Sequence, residues 1–454
     1  MQKHIYVVGA GYVGLVSAVL YAQKGNFVSI YEKEETKRKA ITSGKATFFE
    51  PNLDQLLTEL IHDGRLEVVT DPVPAGPLPD FSFVTVGTPS RRDGSVDLSA
   101  VLAACRDIAK WMKRSSGYRV LAIRSTTFPG TTCGPLRELV EKFSGKRAGR
   151  DFGLVAYPEF LREGSAIHDM LHPDRVVLGE FDERSGNVLE VFLQEFFGAN
   201  LPPVLHVSPT SAEMIKYASN AFLATKIAFV NEIANLCERF EDIDVRRVAD
   251  GMGYDPRIGR AFLDAGLGFG GSCLPKDLRA LVEGAKENGV RLRIPEAALA
   301  SNELQPLRVI RWARELIGSL KGKSAAVFGL AFKPGTSDMR EASSVKVVRA
   351  LLDAGMHVSV HDPVAMPDAA RFFGKRVKYA ETIRDCLEGA DCCFIVTEWD
   401  NFRTIPPDLF LDVMAQPIVI DGRRVLDPSK LDPRITYRGI GLGKRVGLTL
   451  RESV

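Results

Sequence analysis

The chain has 454 residues, 45% hydrophobic and 26% charged, the balance of a folded globular protein of two or three domains rather than a disordered, fibrous or single small one. Lys and Arg number 59 against 57 Asp and Glu, and the net charge of +2 supplies no field that would draw the chain to nucleic acid or an anionic membrane. No apolar run approaches the roughly 18 residues of a membrane span, and residues 1–14 run into a strand and glycine turn without a basic leader or cleavage site. Seven scattered cysteines, Cys105, Cys133, Cys237, Cys273, Cys386, Cys392 and Cys393, form no CxxC pair, so reduced thiols, a cytoplasmic setting and no metal are expected.

Apolar runs at 5–8, 28–31, 81–86, 120–123 and 154–156 alternate with longer amphipathic stretches, which predicts a parallel sheet with crossover helices. The first run leads through Gly9-Ala10-Gly11-Tyr12-Val13-Gly14 into a helical pattern, and Glu32 closes the next strand 18 residues beyond Gly14. This is a dinucleotide fingerprint. Gly9 permits the tight turn, Gly11 lets backbone approach a pyrophosphate at the helix N-terminus, Gly14 lets helix meet sheet, and Glu32 can accept hydrogen bonds from ribose hydroxyls. A carboxylate there repels a 2′-phosphate, which favours NAD over NADP, although Lys33, Lys37 and Arg38 stand nearby. Arg124-Ser125-Thr126-Thr127 ends another strand, at the edge where parallel sheets bind ligands. Pro158-Glu159-Phe160-Leu161-Arg162-Glu163-Gly164 follows the next strand and, taken alone, reads as a loop with solvated acids.

From Thr210 to about Phe240 the texture changes to one long helix. Thr210 and Glu213 have capping-box spacing, and Met214, Ala218, Ala221, Ile227, Ala228, Ile233 and Leu236 spread apolar surface around it, as for a helix buried on most sides and serving as spine and oligomer interface. Lys216 and Asn220 share one face. They form either an exposed stripe, with Lys216 paired to Glu213, or an ammonium and an amide able to hold a developing oxyanion. Four glycines and one cysteine then precede a helical pattern in Gly266-Leu-Gly-Phe-Gly-Gly-Ser-Cys-Leu-Pro-Lys-Asp277, with Pro275 suited to a first helical position. Cys273, near helix N–H groups and a lysine, is a candidate nucleophile. The alternative is a small buried thiol, which suits Cys237, Cys392 and Cys393 well.

From Lys323 the alternation returns, with strands expected at 325–328, 358–360, 392–396 and 418–420, and residues 355–362 echo residues 25–32. The expected architecture is α/β: two Rossmann-like doubly wound parallel-sheet domains, 1–207 and 319–454, joined by a central long-helix domain, 208–318.

Residues 9–14, Ser125-Thr126, 158–164, 213–220, the run ending at Asp277, Gly329-Leu-Ala-Phe-Lys-Pro334, Arg340-Glu341 and Asp421-Gly-Arg423 together resemble the nucleotide-sugar dehydrogenases, which oxidise the primary alcohol of a UDP- or GDP-hexose to a carboxylate. The resemblance runs nearly end to end, and residues 253–263 are similar to the UDP-glucose branch. It implies a four-electron oxidation with two NAD, in which Cys273 captures the aldehyde as a thiohemiacetal that becomes a thioester. Lys216 and Asn220 would stabilise the oxyanion, Asp277 would assist proton transfer through water or Lys216, Thr126 would position water and Glu159 would act as base. Gly9, Gly11, Tyr12, Val13, Gly14, Glu32, Lys37, Thr88, Thr126, Glu163, Lys276 and Arg340 would hold NAD. Glu159, Phe160, Leu161, Lys216, Asn220, Phe262, Gly266, Phe269, Gly270, Phe332, Lys333 and Arg423 would hold the UDP-sugar, joined by Arg257 from a neighbouring subunit, which implies a homodimer or larger homo-oligomer. The product would feed polysaccharide or nucleotide-sugar biosynthesis. GDP-mannose and UDP-N-acetylhexosamines remain alternative substrates, as does a two-electron dehydrogenase with a structural Cys273. Tyr157 departs from the family's asparagine, Thr127-Phe128 from a valine-proline pair, and Ser337 from an acid.

Overall fold

The computed structural model describes residues 2–76 and 78–443. The chain forms two compact units, Met1–Ser219 with Arg279–Gly289 and Asn220–Leu278 with Val290–Val454.

The first unit is built on eight strands: β1 (His4–Val8), β2 (Phe27–Tyr31), β3 (Leu66–Val69), β4 (Phe81–Val84), β5 (Val120–Ile123), β6 (Gly153–Ala156), β7 (Val176–Glu180) and β8 (Val204–Val207). Their order is 3-2-1-4-5-6-7-8, parallel throughout except where β6 meets β7. Alternate residues of the same strand enter different cores. Ile5 and Val7 of β1 join one apolar cluster, Tyr6 and Val8 the other, so the strand is apolar on both faces, as a covered parallel sheet requires. Helix α1 (Tyr12–Gln23) follows β1 and is buried from Gly14 to Ala22. The strand order reverses between β1 and β4, and the carboxyl ends of these strands frame the crevice where such sheets bind ligands.

The second unit carries six strands, all parallel: β9 (Ser324–Phe328), β10 (His357–His361), β11 (Lys378–Tyr379), β12 (Cys392–Ile395), β13 (Ile418–Asp421) and β14 (Thr436–Gly439), in the order 11-10-9-12-13-14. Cys392 and Cys393 sit on β12 and point into its two opposite cores, the small-apolar role the sequence suggests for them.

Helix α2 (Pro209–Cys237) is the long helix, and it starts and ends a little earlier than expected. Its N-terminus is capped by Ser208, whose hydroxyl accepts the Ser211 N–H at 3.2 Å, rather than by a Thr210–Glu213 box. Nor is it buried on most sides. Ala212, Tyr217, Ala224 and Ala234 are buried, whereas Met214, Phe222, Phe229 and Leu236 are exposed. Helices α3 (Leu274–Glu287), α4 (Arg293–Leu304) and α5 (Ser343–Asp353) complete the elements that carry the site.

Candidate active site

The glycine turn after β1 has the geometry its sequence demands. Gly9 lies at φ +99°, and its N–H donates to Tyr31 O at 2.8 Å. A Cβ on Gly14 would fall 1.9 Å from Gly9 O, so only glycine lets α1 pack this close. At Gly11 a Cβ would meet nothing within 4 Å, which leaves room beside the helix N-terminus for a pyrophosphate. Glu32 is buried and accepts from Ala10 N–H at 3.0 Å and Glu34 N–H at 3.1 Å. Two donors leave part of the carboxylate's roughly four acceptor sites for ribose hydroxyls. The residues present therefore fit an NAD. Tyr12 and Val13 are half-buried at the same turn, and Thr88 is buried beyond β4. Lys37 pairs with Glu34 at 3.0 Å, and Arg38 donates to the carbonyls of Glu32 and Lys33. Both basic groups thus have local partners.

The loop after β6 is not a solvated one. Glu159 is 6% exposed, and its carboxylate accepts from Leu161 N–H at 2.6 Å and from Lys216 Nζ at 3.0 Å. Lys216 also donates to Glu159 O at 2.7 Å, and its ammonium lies 5.3 Å from the centre of the Phe160 ring. Leu161 and Glu163 are half-buried beside this pair. Glu50, which no sequence motif singles out, fastens the end of this loop by accepting from Gly164 N–H and Ile167 N–H. Thr126 is half-buried just beyond β5.

Glu213 is also placed differently from either sequence reading. It is buried and accepts from Thr127 Oγ1, Gly130 N–H, Thr132 N–H and Thr132 Oγ1 at 2.6–3.0 Å, while burial pushes its carboxyl above the usual range. With Glu213 turned to that loop and Lys216 to Glu159, the exposed stripe is excluded: Lys216 is 4% exposed and Asn220 is 7%.

In the second unit Cys273 directly precedes α3, and its carbonyl accepts the Asp277 N–H that opens the helix. The Cys273 thiol lies 3.6 Å from Ser272 Oγ. It is half-exposed. Burial pushes the thiols of Cys105, Cys386 and Cys392 up to about 12 and also raises Cys133, Cys237 and Cys393. One turn into α3, Asp277 is 1% exposed and receives Asn220 Nδ2 at 2.6 Å and Lys276 Nζ.

The glycine run ahead of Cys273 is held by buried side chains. Gly266 N–H donates to Asn231 Oδ1 at 2.8 Å, Gln305 Nε2 to Gly266 O at 2.9 Å, Ser343 Oγ to Leu267 O at 2.7 Å and Arg423 Nη2 to Gly268 O at 3.2 Å. Arg423 thus buttresses the loop, and its own N–H donates to Asp421 Oδ1 at 3.0 Å. Gly270 and Gly271 approach Phe332, where added Cβ atoms would lie 3.1 and 2.9 Å from its side chain. Lys333 lies beside the same ring. Phe262 has φ +65°, a strained conformation for an aromatic residue of the kind that gathers at functional sites. Arg257 is exposed and paired with Asp255, and Arg340 is paired with Asp338. Among the described residues no group of His, Cys, Asp and Glu is arranged to hold a metal ion.

Two Rossmann-type sheets, one with a dinucleotide turn, and a thiol at a helix N-terminus define a nucleotide-dependent oxidoreductase. Residues 3–197 match the NAD binding domain of the UDP-glucose/GDP-mannose dehydrogenase family, 210–304 its central domain and 326–428 its UDP binding domain. The chain belongs to that family. It is 40% identical over 442 residues to UDP-glucose 6-dehydrogenase TuaD of Bacillus subtilis, covering 97% of this chain and 93% of that one. It is 41% identical over 431 residues to the UDP-glucose 6-dehydrogenase of Rhizobium meliloti, covering 93% and 95%. Among solved structures, a UDP-glucose dehydrogenase from the archaeon Pyrobaculum islandicum matches with a TM-score of 0.89 at 37% identity over 97% of this chain and 98% of that one. A UDP-D-ManNAc dehydrogenase from Pyrococcus horikoshii matches at 0.84 and 29% identity over 96% and 99%.

Proposed function

We propose that this protein oxidises UDP-glucose to UDP-glucuronate in one four-electron, NAD-dependent reaction. The observation that carries the reading is the Cys273 thiol at the start of α3, one turn from the buried Asp277 that Asn220 and Lys276 hold. NAD, when bound, accepts hydride, and two equivalents account for the four electrons. The turn at Gly9, Gly11 and Gly14 with Glu32 holds the cofactor, aided by Tyr12, Val13, Lys37, Thr88, Thr126, Glu163, Lys276 and Arg340. Cys273 Sγ adds to the C6 aldehyde carbon, so the reactive aldehyde stays bound as a thiohemiacetal. The ammonium of Lys216 and the amide of Asn220, one turn apart on α2, stabilise the negative oxygen, and Asp277 takes up the proton through water. Loss of the C6 hydride to a second NAD and of the hydroxyl proton would convert the thiohemiacetal to a thioester on Cys273, which is opened by a water that Thr126 positions and Glu159 deprotonates, breaking the C–S bond and freeing the acid. Phe262, Phe332, Lys333, Arg423, the 266–271 loop and the 159–161 segment hold the UDP-sugar.

Phe222, Phe229 and Leu236 are each about half exposed or more and recur every seven residues on one side of α2. A second copy of this chain is their partner, a homodimer in which Arg257 reaches the neighbour's substrate. A cytoplasmic setting keeps the Cys273 thiol reduced. The similarity to the UDP-D-ManNAc enzyme makes N-acetylated UDP-hexosamines the second substrates to try.

The test is purified protein with excess NAD and a limiting, known amount of UDP-glucose. Two NADH per sugar are expected, with Cys273→Ala still binding NAD but forming no acid. One NADH per sugar, or undiminished acid from Cys273→Ala, would overturn the covalent reading.

A further inference from the structure

Asn302, at the end of α4, is 7% exposed and takes no part in the chemistry above. Its amide is fully engaged by a single residue. Oδ1 accepts the Phe269 N–H at 2.7 Å and Nδ2 donates to Phe269 O at 2.9 Å, so the side chain pairs with the backbone much as a neighbouring strand would. The preceding Gly268 lies at φ +90°, and a Cβ there would fall 2.3 Å from Asn302 Oδ1. The amide therefore sits in the notch that this glycine leaves open. On the far side of Phe269, Gly271 N–H donates to Arg340 O at 2.9 Å, and a Cβ on Gly270 would meet Glu341 O at 2.6 Å.

A glycine-rich loop loses more conformational entropy on ordering than any other segment of its length. Here side-chain amides supply the hydrogen bonds that hold it. Asn302 grips the middle of the loop, Asn231 and Gln305 grip Gly266 at its start, and Cys273 lies four residues beyond Phe269. A buried amide left unmatched costs free energy, so each clamp favours one backbone shape for the loop and disfavours the others.

We propose that Asn302 is a positioning residue: by fixing both polar groups of Phe269 it sets the shape of the 266–271 loop before substrate binds, and through it the placement of Cys273 at the start of α3. The proposal rests on the reading that this loop and Cys273 serve the UDP-sugar, and deepens it. Asn302→Ala removes the clamp. Asn302→Asp keeps the acceptor for Phe269 N–H but turns a second oxygen on Phe269 O, leaving half of it.

Both variants and the parent protein are compared in steady-state kinetics with UDP-glucose and NAD. In parallel, without substrate, the rate at which iodoacetamide alkylates Cys273 is followed by peptide mass spectrometry. For Asn302→Ala, kcat is expected to fall and the KM for UDP-glucose to rise, each by about tenfold, with the KM for NAD within about twofold of the parent. Alkylation of Cys273 is expected to slow at least about threefold as the thiol leaves its place at the helix N-terminus. Asn302→Asp is expected to fall between, and it carries the test if the alanine variant does not fold. Parent-like alkylation in both variants, or a KM for NAD that rises as far as that for the sugar, overturns the proposal. A parent protein inert to UDP-glucose overturns the substrate reading instead, and the alkylation rates still decide the role of Asn302.

Discussion

Lys216 and Glu159 are each 5% exposed at the side chain, and a buried pair of this kind survives because each charge answers the other. Removing one partner strands its mate. Lys216→Ala is therefore expected to show two separable effects: a stability loss of about 3–5 kcal/mol in denaturant titration, from the uncompensated Glu159, and a fall in kcat of about 100-fold or more from the lost oxyanion partner, with KM for UDP-glucose changed much less. Unchanged kcat would leave Lys216 a purely structural cation. The identities of these residues were legible in the sequence, and their partners were not. An i, i+4 spacing shows that Lys216 and Asn220 share a face, but the pattern carries no distances, so it could not tell a lysine paired with Glu213 three residues away from one paired with Glu159 across 57 residues. Asn302 and Glu50 were invisible for a related reason. An amide or carboxylate that serves backbone N–H groups has no sequence motif of its own.

At the scale of elements, the turn between β1 and α1 separates a glycine that the fold requires from one with open space beside it. Gly14→Ala drives a Cβ into Gly9 O and is expected to cost about 2–3 kcal/mol in thermal or chemical unfolding. Gly11 has φ −70° and open space around its Cβ position, so Gly11→Ala is expected to fold normally while NAD binding, read by titration calorimetry, weakens by about tenfold, or about 1.4 kcal/mol. Gly11→Ala binding NAD as tightly as the parent would show that the cofactor does not approach this backbone. Most central strands of both sheets were legible because they are buried on two faces, as in β4 and β12, although β7, buried over its first four residues, was missed. The edge strands β3 and β8 were not. β8 is half-buried at its ends and exposed at Leu205 and His206, so its residues carry no double-faced apolar signal.

For the whole molecule, the exposed aromatics of α2 give the clearest handle. Phe229→Asp places a charge in the middle of the apolar stripe and is expected to turn the proposed homodimer into monomer in sedimentation velocity, with the melting behaviour of the isolated chain retained. A parent protein that already sediments as a monomer would rule out this face as the interface. The two sheets repeat one device. Gly9 N–H donates to Tyr31 O beside a buried Glu32 that takes the Ala10 N–H, and Gly329 N–H donates to His361 O beside a buried Asp362 that takes the Leu330 N–H. In the second sheet the acid is saturated, receiving also Ala331 N–H, Val364 N–H, Ala365 N–H and the Trp399 indole. An acid closing the second strand thus rivets the glycine turn, and reading a ribose asks in addition for lone pairs to spare. Two donors sit on Glu32 and five on Asp362, so of the two turns the first is the one whose acid keeps lone pairs to spare.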